Sequence, residues 1–162
     1  MLYSNALYIA EKIKAELAPF CKRIEIAGSI RRKKEEVGDI EIVAIRRNKD
    51  LYQLCGVINR WQKIKGEPTG KYTQRVYRYG DGENDTIIVD IFFATEKNWG
   101  YIFLIRTGSA DFSHHMASRW SSMGFKGEEG MLTKNGIPVI LKTEEELFSL
   151  LRMAYVYPED RK

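Results

Sequence analysis

Three acids and a short Gly-Ser turn are the residues of this chain whose types and spacing could do chemistry. Asp39 and Glu41, in "GDIEIVAI", lie two residues apart in a segment that reads as a strand, so both side chains point to one face. Asp90 interrupts the apolar run "TIIVDIFF" further along. Three carboxylates gathered on one sheet face repel one another unless cations lie between them. Hard divalent ions with oxygen ligands suit such a set, and Mg²⁺ is commonly held by a few carboxylates together with substrate phosphates. Two such ions about 3.5–4 Å apart can activate an attacking oxygen and stabilise a leaving one. Upstream, Gly28 and Ser29 offer close backbone approach and a hydroxyl, and Arg31, Arg32, Lys33 and Lys34 offer positive charge. Phosphoryl transfer asks for little beyond these parts.

Each part has a plainer reading taken singly. A lone acid beside a strand is ordinarily a solvated face residue, and "RRKKEE" is ordinarily an exposed loop. The order of the set shifts the balance: Gly-Ser, two arginines, Gly-Asp-x-Glu, then an acid inside an apolar strand, where unpaired burial is costly.

The elements that must position these residues follow from the patterning. Residues 3–18 place Leu7, Ala10, Ile13, Ala15 and Leu17 near one helical face ahead of Pro19. "RIEIAG" and "GDIEIVAI" read as strands, and residues 50–62 read as a helix with Asp50 as its N-cap. Alternating "YTQRVYRY" and "TIIVDIFF" are strands on either side of a Gly/Asp/Asn turn at 80–85. "NWGYIFLIR" and "SADFSHHMASRWSSM" are helices around Thr107-Gly108. "MLTKNGIPVIL" is a hairpin turning on Asn135-Gly136, and "TEEELFSLL" opens with a capping box, Thr143 and Glu146. Helix, acid-bearing sheet, then a small helical and hairpin lobe is an α+β order.

Composition sets the outer bounds. The chain has 162 residues, 44% hydrophobic and 12% aromatic, which supports a packed core rather than disorder. A net charge of +4 favours an anionic partner, nucleic acid first. Cys21 and Cys55 stand alone, without the spacing of a zinc site or a disulfide framework, and read as small buried residues. No apolar run reaches the length of about 18 residues that a membrane span needs, and there is no signal-peptide core, so a soluble, intracellular protein is expected. His114 and His115 lack metal-spaced partners, and Trp61, Trp99 and Trp120 read as core.

The pattern "GSIRR…GDIEI…VDIF" resembles the nucleotidyltransferase superfamily. The stretch from "NWGYIFLIRTGSADFSHHM" through "GF" and "LKTEEELFSLL" to "YPEDR" resembles the C-terminal half of family X DNA polymerases, the DNA polymerase beta family. The similarity runs along essentially the whole chain. It implies a nucleotidyltransferase palm, a mixed β-sheet with flanking helices, over residues 1–95 and a small α/β thumb over 96–162. It implies that Asp39, Glu41 and Asp90 ligate two Mg²⁺ ions, with Mn²⁺ as a substitute, and that Asp90 lies near a primer 3′-hydroxyl. Ser29 and Arg32 would hold the β- and γ-phosphates of an incoming nucleotide, beside the close-approaching turn at Gly28 and a Gly38 backbone donor. Thr107 and Gly108 would cradle the sugar, Ser113 would read the incoming base, and His114 would lie near the template. Lys71, Arg75 and Arg78, with Lys63 and Lys65, are candidates for a DNA path, an ordinary solvated β-face being the alternative.

Departures from the family pattern carry their own expectations. Glu41 stands where the family has Asp, which bears on metal preference. Ile105 and Arg106 replace an aromatic pair that helps separate deoxyribose from ribose, and Ala117 replaces an arginine that reads the template. The sequence opens at the first palm helix and so resembles the minimal palm-plus-thumb polymerases of large DNA viruses. The cytoplasm or nucleoid is the expected place, a virus- or phage-encoded source is one reading, and the host is left open. The implied activity is a monomeric DNA-directed DNA polymerase that adds dNTPs at gaps or nicks and releases pyrophosphate. A template-independent nucleotidyltransferase acting on RNA, a small molecule or a protein is the first alternative. A catalytically silent nucleic-acid-binding module is the second.

Overall fold

The computed structural model describes residues 1–162, the whole sequence. Helix α1 (Tyr3–Leu17) buries Ala6, Ile9, Ala10, Ile13 and Leu17. This is one helical stripe, but not quite the expected one. Ala15 is exposed because it lies roughly 200° around the helix from Ile13, and Ala6 and Ile9 complete the face instead. Pro19 closes the helix in a 3-10 turn over Ala18–Phe20.

Strand β1 (Cys21–Ile26) leads into the single turn α2 (Gly28–Arg31) and then strand β2 (Ile40–Arg46). Helix α3 (Leu51–Ile58) is shorter than the helix expected over 50–62, because Gln62–Gly66 forms strand β3. Asp50 does not cap α3 with its side chain; its carboxylate accepts from Arg47 at 3.2 Å. Strands β4 (Tyr72–Arg78) and β5 (Thr86–Phe93) complete a five-stranded sheet of order β1-β2-β5-β4-β3. Only the β2–β5 pair is parallel, which makes the sheet mixed.

The alternation of β2 and β5 shows why the centre of the sheet is apolar on both sides. Ile40, Ile42 and Ala44, with Val89, Ile91 and Phe93, face α1 and α3 in the larger core. Val43 and Ile45 face the other way and pack with Trp99 and Phe103 of helix α4 (Trp99–Thr107). Glu41 shares that second face with Val43, and Asp90 shares it with Phe92. The acids therefore sit where the apolar cover given by α4 runs out.

The C-terminal lobe contains helix α5 (Ala110–Ser122), a small sheet of β6 (Phe125–Glu128), β7 (Met131–Lys134) and β8 (Ile137–Val139), and helix α6 (Glu144–Leu150). Asn135 and Gly136 both take positive φ (53° and 75°), the conformation a two-residue hairpin turn demands. Thr143 Oγ1 accepts the Glu146 amide at 3.1 Å, and the Glu146 carboxylate reaches back to the Lys142 amide, one residue earlier than a full capping box. This lobe has its own core, including Leu104, Phe112, Met116, Trp120 and Phe148. Helix α4 serves both this core, through Tyr101 and Leu104, and the second face of the large sheet, through Trp99 and Phe103. Gly100 is required there, since a Cβ would collide with the Thr143 carbonyl at the start of α6. No helix is long and apolar enough to cross a membrane.

Candidate functional site

Strand register brings the acids together. Glu41 and Asp90 are direct neighbours across the parallel β2–β5 pair, and Asp39 lies two residues before Glu41 at the mouth of β2. Their proximity is felt electrostatically. Burial pushes the Glu41 carboxyl up to about 7, and the charges of Asp39 and Asp90 push it the same way against Arg32 and Arg106. Asp39 is likewise raised, first by burial and then by Asp90, with its own backbone bond and Arg32 opposing. The site thus holds more negative charge than its own cations neutralise.

Asp90 is 6% exposed and is not the unpaired acid that its apolar strand suggests. Its Oδ1 accepts from the Tyr72 hydroxyl and from Gln74 Nε2 at 2.8 Å. Both donors come from β4, with Gln74 directly opposite Asp90 and Tyr72 opposite Phe92. Nothing in the sequence marked Tyr72 or Gln74 beyond their strand parity, which matches that of Asp90 across the ladder.

The Gly-Ser turn lies against the same carboxylates. Gly28 has φ of +61°, and a Cβ there would collide with the Glu41 carboxylate. The group that approaches Gly28 closely is therefore Glu41. Ser29 Oγ and Arg32 Nε are buried without a hydrogen-bond partner, an unusual pair of orphans in one turn. Arg32 is felt by both Asp39 and Glu41, and its Nη1 donates to the Thr107 carbonyl at the end of α4. Gly38 is exposed beside Asp39.

The rest of the basic cluster turns elsewhere. Arg31 grips Glu144 with two nitrogens at 2.9 and 2.5 Å, donates to Thr107 Oγ1 at 2.7 Å, and lies 3.8 Å from the Phe103 ring centroid. Arg161 Nη1 donates to the same Glu144 at 2.7 Å. Burial would raise the Glu144 carboxyl, but the bonds from Arg31 and Arg161 outweigh it and hold it below its ordinary value. Lys33 is exposed and pairs with Glu159 at 3.4 Å. Of the four cations, Arg32 is the one whose charge is felt at both Asp39 and Glu41.

Of the other expected binding residues, Arg75 needs correction and the rest fall in different surroundings. Arg75 is 2% exposed and bonds Thr73 Oγ1 at 3.0 Å, so it lies under the sheet beside Trp61 and offers nothing to a DNA surface. Thr107 is buried and its hydroxyl accepts from Arg31, while Gly108, at φ +67°, packs against Arg32. Ser113 donates to the Ile105 carbonyl at 3.2 Å, which ties α5 to α4. Lys71, Arg78 and His114 are exposed, as a DNA contact would require. Arg106, exposed at the end of α4, lies 4.0 Å from the Phe92 ring centroid and within electrostatic reach of Glu41 and Tyr72. A groove runs between the start of α1 and the β4–β5 hairpin and borders the acids only through Gly38.

The oxygen donor set and its excess negative charge fit a hard divalent cation. As the side chains stand, however, no three of the chain's His, Cys, Asp and Glu residues converge closely enough to ligate one ion. Glu41 lies against Gly28, and Asp90 is held by its β4 partners, so drawing the three together needs side-chain adjustment.

Residues 102–162 match the family model described as DNA polymerase beta thumb. Among solved structures, the chain is similar to Leishmania infantum polymerase beta in a ternary P/T complex, with a TM-score of 0.77 and 20% sequence identity. That match covers 100% of this chain and 76% of the other. No curated protein matches. The fold is polymerase beta-like.

Proposed function

We propose that this chain, polymerase beta-like in fold and with that polymerase's thumb at its C-terminus, is a minimal DNA-directed DNA polymerase that adds dNTPs to a primer 3′-hydroxyl at gaps or nicks. Residues 1–95 would act as its palm and 96–162 as its thumb. The observation that carries the reading is the pair of orphaned donors, Ser29 Oγ and Arg32 Nε, buried beside three acids of one sheet face. Buried polar groups without partners are rare, and a triphosphate supplies the acceptors these two lack.

In the reaction, the primer 3′-oxygen would form a bond to the α-phosphorus of the nucleotide, and the bond to pyrophosphate would break. Asp39, Glu41 and Asp90 would hold two Mg²⁺ ions, which supply charge neutralisation at the attacking and leaving oxygens. Arg32 and Ser29 would orient the non-reacting phosphates, Gly28 keeping the turn free of any side chain. Arg32, bonded to the Thr107 carbonyl, would also align the end of α4 with the nucleotide. Positioning and charge, without a covalent intermediate, supply the rate.

A second reading, an untemplated nucleotidyltransferase, draws on Ser113, whose hydroxyl is occupied by Ile105 rather than free to read a base. Single-nucleotide insertion into gapped DNA, with each dNTP and NTP against each template base, separates the two. Template-matched insertion of dNTPs is the expected result. Insertion that ignores the template would assign the transferase, and gapped DNA bound without insertion would overturn both readings in favour of a silent binding module.

A further inference from the structure

The two ends of helix α4 carry different chemistry. At its C-terminal end the Thr107 carbonyl accepts from Arg32, beside the acids. Nine residues span roughly 13 Å, so the N-terminal end is remote from that site. There a pocket of about 300 Å³ is lined by Lys22, Arg23, Ile45, Glu96, Trp99 and Lys142. Ile45 and Trp99 are buried and form its floor, and the four charged residues are exposed and form its rim. The rim holds three cations against one acid. Lys22 reaches Glu96 only at 3.7 Å. Arg23 lies 4.1 Å from the Trp99 ring centroid and has no acidic partner. Lys142 has none either, since the Glu146 carboxylate accepts from its backbone amide and not from its side chain. Backbone bonds of 2.8 Å from Leu141 to Lys97 and from Gly100 to Leu141 fix Lys142 beside the start of α4.

Two further features ask for an anion. The N-terminus of α4 has no side-chain cap and no acid in its first turn, and Asn98 Oδ1 is turned back to the Thr95 amide at 2.7 Å. Unpaired cations beside the positive end of a helix dipole are unfavourable unless an anion joins them. Independently, Trp99, only 1% exposed, keeps its Nε1–H buried in the floor without an acceptor. Buried donors without acceptors are rare, so this one marks a missing oxygen. We propose that the pocket binds a phosphate group, free or on a nucleic-acid strand, through Arg23, Lys142 and the Trp99 Nε1–H. The site is separate from the acids, and the inference does not rest on the polymerase reading. Strand β1, helix α4 and the segment before α6 each supply one contact, so a bound phosphate would brace the joint between the two lobes.

Titration of inorganic phosphate into the isotope-labelled whole chain, followed by NMR with ionic strength held constant by chloride, tests this. The chain has three tryptophans, and the Trp99 indole signal is the one missing from Trp99→Phe. The expected result is a saturable downfield shift of the Trp99 indole proton, with those of Trp61 and Trp120 unmoved. Arg23→Gln and Lys142→Gln should each weaken binding by about 10-fold or more. Glu96→Gln, which frees Lys22, should strengthen it. Lys142 and Glu96 are exposed, so these two variants remain informative if Arg23→Gln is poorly folded. No saturable shift, or binding that Lys142→Gln and Glu96→Gln both leave unchanged, would overturn the proposal. Gapped DNA added in phosphate-free buffer separates the two sources. A Trp99 shift that added phosphate reverses assigns a strand phosphate, and a shift with phosphate but not with DNA assigns the free ion.

Discussion

At the scale of single residues, the acids were legible because residue type and strand parity together fix a face. Asp39, Glu41 and Asp90 needed only a two-residue period and a pairing of two strands. Arg75 was misread for the same reason in reverse. It lies on the parity of Thr73 and Tyr77, which is the buried face of β4, and an arginine there looks like a surface cation until the sheet is covered. Glu41 gives a prediction with a definite sign. Its carboxyl is raised by burial and by its acidic neighbours to about 7. Between its ordinary range and that value the native state holds a proton that the unfolded chain has lost. Stability of the metal-free protein therefore falls as pH rises from about 4.5 to 7, by about 3 kcal/mol from this group. Urea unfolding of wild type and Glu41→Gln at pH 5 and pH 8 checks it. The variant should be the more stable of the two at pH 8, and the difference should shrink at pH 5.

At the scale of elements, strands with an alternating buried face or a marked turn were legible, and strands with neither were not. Every side chain of β3 from Gln62 to Lys65 is exposed, so there was no apolar alternation to detect, and helical propensity ran on from α3. Strand β6 was missed likewise, since Phe125 is its only buried residue. Helix α4 was legible in extent but not in its double duty, because its apolar residues surround it rather than forming one stripe. That double duty makes Gly100 critical. Gly100→Ala would force α4 away from the Thr143 carbonyl and should destabilise the protein by about 1–3 kcal/mol, as overpacking generally does. Denaturant unfolding measures it. The same change at Gly56, where a Cβ meets nothing within 4 Å, should be neutral or stabilising.

At the scale of the whole molecule, the two cores are joined by a charged knot that no local pattern announced. Arg31 comes from α2, Glu144 from α6 and Arg161 from the penultimate position of the chain, with Glu144 and Arg161 almost wholly buried. Sequence distance hides such a cluster, since its members lie 113 and 17 residues apart. Removing Glu144 leaves two cations without their shared anion. Glu144→Ala should destabilise the protein by about 3–5 kcal/mol. Because the Glu144 carboxyl is held below its ordinary value, its contribution is present at neutral pH and is lost as pH falls through and below the carboxylate range. The steep acid limb of wild-type stability should therefore flatten in the variant, as thermal unfolding between pH 3 and 7 would record. Arg31 also holds Thr107, and Arg32 holds its carbonyl, so the same residues connect the lobes and frame the site.

The most direct test of the central claim is the single-turnover rate of dNTP insertion into one-nucleotide-gapped DNA in Mg²⁺, with pyrophosphate counted. Wild type would be compared with Asp39→Asn, Glu41→Gln and Asp90→Asn. The predicted result is one pyrophosphate per nucleotide added and a loss of roughly 10²–10³-fold or more for each neutralised acid, Asp90→Asn included. Insertion by the three variants at rates close to wild type, or by wild type without pyrophosphate release, would contradict it.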